Sequence, residues 1–457
     1  MKERDGASFR DPDGYVYYKE GTLFRQVNFS YKENYDLFMD SGLCAGLLSE
    51  GILVRHEVAA TEPGAYKTLK PEKIPFISYP YEWSFQQLKD AALLTLKIQK
   101  ACLEKGMSLK DASAYNVQFK NGVPVFIDIL SFEKYPEGEP WAAYGQFCRH
   151  FIAPLCLAAK KDQRLFTLLK EHIDGLPLDL VSGLLPWRTV FNPGLLLHIH
   201  LHAMSVGRFG GKSIKQVRRG RIDKFGMLGI IESLRAAVEG LKAGRTKGHW
   251  SGYYDDTNYS GEAFAEKKRM VGKYLGEIPV KGSLWDLGAN TGEFSRIASE
   301  QGFTVLSFDL DPGATGMNYD YNKKYTGKYN VLPLVMDLFN PSPALGWAEK
   351  ERKSLMQRGP CDCVMALALI HHLALANNLP LDDIAEFFSG ITRGPLLVEF
   401  VPPDDSRARP MVENNPVLLE TYNEAGFEAA FGKRFIVEAK DPIKGSLRTL
   451  YRMTKKP

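Results

Sequence analysis

Long apolar runs are missing from this 457-residue chain. No stretch approaches the ~18 uncharged apolar residues that a membrane-crossing helix needs. The best candidate, 151–159, is cut short by Lys160 and Lys161. The opening MKERDGASFRDPDG is charged and lacks the apolar core of a secretory signal. Cysteine is sparse, with six residues at 44, 102, 148, 156, 361 and 363. They are too scattered for a disulfide frame, and Cys361 with Cys363 has no second pair to complete a zinc site. An excess of one charge is missing too: 58 Lys and Arg against 54 Asp and Glu leave a formal +4, too little at this size to argue for nucleic acid. There is no internal repeat and no low-complexity segment. These absences predict a cytoplasmic protein without a membrane partner. With 44% hydrophobic and 25% charged residues, the composition is that of an ordinary globular chain, long enough for two domains.

The first part opens with strand-like runs, GYVYYKEG and TLFRQVNF. Apolar residues at three- and four-residue steps predict a helix over 85–103, through Leu88, Ala91, Leu94, Ile98 and Cys102. Two strand-like pieces follow, hinged on Asn121-Gly122, and 141–202 is apolar and helical in character. Between Arg208 and Lys247, eleven Lys or Arg meet three acids, and Met227, Leu228, Ile230, Ile231, Leu234, Val238 and Leu241 outline an amphipathic helix. Solvated linker charge is the common reason for such a segment. RNA or anionic lipid is the alternative, and RNA is disfavoured because only Phe209 and Phe225 offer stacking rings. Beyond it, SLWDLG, TVLSFDLD, VLPLVMD, CDCVMALAL and PLLVEFV are short apolar runs, each followed by a polar turn or helical stretch. That is the pattern of a parallel sheet covered on both faces. KRFIVEA and SLRTLYRM add a terminal hairpin. The expected organisation is an α+β domain over 1–206, a basic helical linker over 207–250, and an α/β domain over 251–457 with a doubly wound, mostly parallel seven-stranded sheet.

The sharpest local signal is Asp286-Leu-Gly-Ala-Asn-Thr-Gly-Glu-Phe-Ser295. An apolar strand ends in an acid, a turn holds Gly288, Ala289, Asn290 and Gly292, and a helix begins. The spacing is G-x-x-x-G rather than the G-x-G-x-x-G that cradles pyrophosphate. A carboxylate beside the turn suits a cationic, zwitterionic group better than a phosphate. Asp309, followed by Leu310, closes the next strand, where a carboxylate can accept from both ribose hydroxyls. Asp311 ranks behind it. Asp337, followed by Leu338, ends the third strand and can accept from an adenine amino group. The fourth strand delivers Ala366 and Leu367 to the same rim. The cofactor that combines these features is S-adenosylmethionine.

These residues closely resemble the motifs of class I S-adenosylmethionine-dependent methyltransferases, over about two hundred residues to Pro457. The resemblance implies methyl transfer to an acceptor, whether small molecule, glycan or macromolecule. WDLGANTGEFS, DLFNPSPALGW, ALALIHHLA and VEFVPPDD together look like a group of bacterial two-part proteins, some labelled nodulation-protein-like or ribosomal-protein-methylase-like.

The candidate catalytic groups are His371 and His372, directly after strand four, and Glu399 at the end of strand five; packing and capping are their structural alternatives. A base is needed only if the acceptor is a hydroxyl or a protonated amine. Asn340-Pro-Ser-Pro resembles the N-P-P-Y type motif of amino-group methylases, but that motif belongs after strand four and this segment follows strand three, so it is discounted. The aromatic stretches His249–Tyr254 and Asn258–Ser260 read as a lid over the cofactor or as packing. Upstream, Asp111, Asn116 and Asp128 resemble the catalytic loop and metal site of kinase-like phosphotransferases, which implies Asp111 as base and Asn116 with Asp128 as metal ligands. The departures are Leu109 and Lys110 before Asp111, Ile129 and Leu130 after Asp128, no covering glycine loop, and two rival phosphate lysines, Lys67 and Lys70. The expectation is a disarmed kinase-like domain that recruits substrate. No metal is expected. His198, His200 and His202 alternate, but their neighbourhood is helical and splits them between faces.

Overall fold

In the computed structural model, residues 2–209, 221–244, 261–413 and 420–457 are described. The chain divides into two compact units, Met1–Thr246 with Leu345–Arg352, and Lys247–Ala344 with Lys353–Pro457. Among the described residues no helix is long and apolar enough to cross a membrane.

The first unit begins with a five-stranded antiparallel sheet in the spatial order Lys2–Arg4, Gly14–Lys19, Thr22–Val27, Lys67–Pro71, His56–Ala59. The predicted helix runs Phe85–Glu104 and starts at a capping box, in which the Ser84 N–H donates to Gln87 Oε1 at 2.9 Å and Ser84 Oγ accepts from the Gln87 N–H at 3.4 Å. Asn121 and Gly122 take φ of 51° and 77° between strands Val117–Lys120 and Val123–Phe126, as a two-residue hairpin turn of the primed type requires. The helix Lys224–Gly240 buries Met227, Ile231, Leu234 and Val238. Lys89 Nζ donates to the carbonyls of Glu239 and Leu241, at 2.8 and 2.7 Å, and so holds its end. This helix is therefore part of the first unit.

The second unit is built on seven strands, numbered here within it: β1 (Ser283–Leu287), β2 (Thr304–Asp309), β3 (Val331–Val335), β4 (Cys363–Ala366), β5 (Pro395–Phe400), β6 (Phe435–Pro442) and β7 (Thr449–Lys455). Their spatial order is β3-β2-β1-β4-β5-β7-β6. The first five run parallel, and β7 pairs antiparallel with both β5 and β6. Helices α1 (Gly261–Glu277), α2 (Glu293–Glu300) and α3 (Pro312–Lys324) flank the first strands. Leu284, Val305, Val331, Met365 and Leu397 pack with Met270, Val271 and Tyr274 of α1. Trp285 and Phe308, from neighbouring strands, meet edge to face at 5.4 Å. Burial on both faces explains why these strands read as continuous apolar runs rather than alternating ones. Parallel strands ending along one rim also leave their C-terminal loops free to build a site there.

Candidate functional site

The turn after β1 has a backbone that few residues tolerate. Gly288 and Gly292 take φ of 78° and 79°, and Asn290 takes 49°. At Gly292 a Cβ would lie 2.3–2.4 Å from the Asn318 amide. That amide is itself tied to Ser307 Oγ and to Asn322, both at 2.9 Å, and cannot retreat cheaply. Glycine is thus required at 292 by both space and dihedral. The loop after β4 carries a further left-handed residue, Ala368 with φ of 51°, in a region that costs an ordinary side chain roughly 1–2 kcal/mol. Both irregular turns face one cavity of about 240 Å³.

Asp286, Gly288, Ala289, Asn290, Asp309 and Leu310 line this cavity from β1 and β2. Asp337 and Leu338 line it after β3, and Leu367 after β4. Of the residues expected to bind a cofactor, Gly292 and Ala366 are not in the wall. Gly292 sets the turn from behind, and Ala366 stays in the sheet paired with Leu287. Lys267, Phe264, Phe294, Met336, Leu369 and Leu373 also line the cavity, and nothing in the local sequence pattern singled them out.

Backbone N–H groups hold Asp309 and Asp337 in place, and a serine hydroxyl holds Asp286. Asp309 accepts the Asn290 N–H at 2.7 Å and the Asp311 N–H at 2.8 Å, one on each oxygen, which ties the glycine turn to the end of β2. Asp286 accepts from Ser295 Oγ at 2.5 Å and is 2% exposed. Asp337 accepts the Phe339 N–H at 2.9 Å. Burial pushes the Asp286 carboxyl up to about 7, against the lowering effect of Ser295. Burial also pushes Asp309 up to about 6, against two backbone N–H donors that favour its charged form.

The three candidate catalytic residues separate. His372 lines the cavity, whereas His371 and Glu399 do not. Burial, with Arg448 and Arg407 nearby, holds His372 down at about 4, so it is neutral at pH 7. His371 is fully buried, and its ring centre lies 4.1 Å from that of His372 with the rings tilted by 39°. Glu399 is fully buried in an ion network, 2.5 Å from Lys267 Nζ and 3.2 Å from Arg448, and Arg448 also grips Asp405 at 2.8 Å.

In the first unit, Asp111 accepts the Ser113 N–H at 2.9 Å, Asn116 Nδ2 donates to Ser131 Oγ at 3.2 Å, and the Asp111 carboxyl is raised by burial and then by the Asp128 charge. Asp128 is ion-paired with Arg25 and accepts from Ser131. Among the described residues no group of three or more His, Cys, Asp or Glu is arranged to hold a metal. His198 meets Tyr144 and Ser233, and His200 meets Ser182 and Thr189, all within 2.9 Å. The expected aromatic lid at 249–260 lies outside the described residues, as does much of the basic segment.

A parallel sheet in the order β3-β2-β1-β4-β5, closed by an antiparallel β7-β6 pair, with a glycine turn and strand-end carboxylates on one rim, defines the class I methyltransferase fold. No family model matches the chain. Among solved structures it is similar to the N-methyltransferase NodS from Bradyrhizobium japonicum WM9, at 10% identity and a TM-score of 0.33, covering 43% of this chain and 99% of that one. It is also similar to magnesium protoporphyrin IX methyltransferase (ChlM) from Synechocystis PCC 6803 with bound SAH, at 15% identity and a TM-score of 0.32, covering 45% and 93%. The nodulation protein NoeA of Rhizobium meliloti (strain 1021) is 34% identical over 462 residues, which span 98% of this chain and 95% of that protein. The chain belongs to the NoeA family.

Proposed function

We propose that the second unit binds S-adenosylmethionine in the cavity along the sheet rim and transfers its methyl group to an acceptor. The observation that carries this reading is the convergence of Asp286, Asp309 and Asp337, from three adjacent strand ends, on one cavity. The donor set fits the cofactor. Each Asp309 oxygen takes one backbone N–H and keeps capacity for a ribose hydroxyl. Asp337 suits the adenine amino group, and Asp286, with no bulk at Gly288, suits the ammonium. When bound, the cofactor supplies an electrophilic methyl group. The chain's own part is to orient and to exclude water, and orientation of this kind is worth ~7–11 kcal/mol. His372, neutral beside the cavity, can accept a hydrogen bond or a proton from an acceptor. Calorimetry with S-adenosylhomocysteine tests the reading. Asp309→Ala is expected to weaken binding about tenfold or more, the scale of losing charge-assisted hydrogen bonds. Absence of binding to the native protein, or unchanged affinity in the variant, would overturn it.

For the first unit we propose substrate recruitment rather than phosphate chemistry. The pairing of Asp128 with Arg25 supports this, since a carboxylate already neutralised by a part-buried guanidinium is a poor metal ligand. The protein is expected not to hydrolyse ATP; a hydrolysis abolished by Asp128→Ala would favour a phosphotransferase instead.

A further inference from the structure

Among the described residues lining the cavity, Lys267 is the one Lys or Arg. It projects from α1, is 3% exposed, and sits 4.8 Å from the centre of the Phe294 ring. Its ammonium faces Glu399 at 2.5 Å, and the field of Asp286 reaches it as well. A buried lysine in an aromatic wall is costly unless anions meet it. Here Glu399 is shared with Arg448, which in turn holds Asp405.

The order of charges along the rim matters. Asp337, Asp309 and Asp286 follow β3, β2 and β1, and Glu399, with Lys267 against it, follows at β5. Adenine and ribose at the first two carboxylates leave the amino-acid end of the cofactor between Asp286 and Lys267. That end is a zwitterion. It needs an anion for its ammonium and a cation for its carboxylate, and this part of the wall supplies one of each.

We propose that Lys267 is the cofactor-binding residue that recognises the α-carboxylate of S-adenosylmethionine. The proposal rests on the reading of the cavity given above and assigns the part of it that the strand-end motifs leave open.

The test is calorimetry on the full chain with S-adenosylmethionine and with its decarboxylated form, which keeps the sulfonium and the ammonium. The native protein is expected to prefer the carboxylate-bearing compound by about tenfold or more, the scale of a charge-assisted hydrogen bond. Lys267→Met should weaken S-adenosylmethionine alone and erase the preference, and Lys267→Arg should keep part of it. If Lys267→Met weakens both compounds alike, or leaves the preference intact, the lysine is structural and the proposal fails. A native protein that binds both equally also overturns it, whatever the variants do. A native protein that binds neither overturns the cofactor reading instead. Should Lys267→Met not fold, Lys267→Met with Glu399→Gln removes both buried charges and takes its place in the comparison.

Discussion

Glu399 on β5 lies 2.5 Å from the ammonium of Lys267 on α1, with both side chains almost fully buried. The pair links the helix before the sheet to a strand on the far side of β1 and β4. Removing one partner of a buried pair leaves an uncompensated charge, which typically costs ~3–5 kcal/mol. Glu399→Ala takes the facing carboxylate from Lys267 and one of two carboxylates from Arg448, which keeps Asp405. It should lower the stability of the second unit by about 3 kcal/mol, read from the urea midpoint, and Glu399→Gln should cost less. A loss below about 1 kcal/mol in Glu399→Ala would show that the network contributes little.

Two carboxylates raised by burial set a pH dependence. Asp286 titrates near 7 and Asp309 near 6 in the folded chain. Both lie above the ~3.9 of an unfolded aspartate. The folded state therefore holds protons that the unfolded state has released. The stability contribution is complete below about pH 4 and is lost as pH rises through 6 to 7. Ligand binding runs the other way, since a cationic group favours the ionised carboxylates. Affinity for S-adenosylmethionine is expected to fall about tenfold or more between pH 7.5 and pH 5.5, and Asp286→Asn should flatten that profile. An affinity independent of pH over this range would show that neither carboxylate titrates there.

The α/β fold of the second unit was legible because parallel strands buried on both faces leave apolar runs bounded by turns, and each run from Ser283 to Phe400 became a strand. The glycine turn was legible for a different reason: left-handed backbone restricts residue choice, so Gly288 and Gly292 carry the conformation in their names. Lys267 was not legible. It reaches the cavity through the packing of α1, and nothing in GEAFAEKKRMVGKYLGE separates it from Lys268, whose partner is Glu293. Glu399 misled for the same reason. Its place at a strand end suggested access to the rim, but Lys267 and Arg448 are distant in the chain, and their claim on it appears only once the fold is assembled.

Gly292→Ala should destabilise the second unit without touching the cavity wall. The new methyl group meets the Asn318 amide at 2.3–2.4 Å, and φ stays at 79°. Left-handed backbone alone costs an alanine roughly 1–2 kcal/mol, so the total with the contact is expected to exceed about 2 kcal/mol. Thermal unfolding checks this. Gly302→Ala is a useful control, because its φ of 95° is also left-handed while the nearest neighbour of an added Cβ is 3.6 Å away. Equal losses in the two variants would mean that the Asn318 contact adds nothing.

His371 offers a direct way to divide the histidine pair. It is fully buried, and neither ring nitrogen has a hydrogen-bond partner among the described residues. Burial and the neighbouring His372 hold its pKa well below the usual range, so it stays neutral. An imidazole buried without partners has already met its desolvation cost, so an apolar side chain of similar volume should be tolerated or even stabilising. His371→Leu is therefore expected to change stability by no more than about 1 kcal/mol and to leave the affinity for S-adenosylhomocysteine unchanged. His372→Leu, which alters the cavity wall itself, should change that affinity. If His371→Leu instead costs about 3 kcal/mol or more, buried water satisfies both ring nitrogens and the pair acts as a single polar unit.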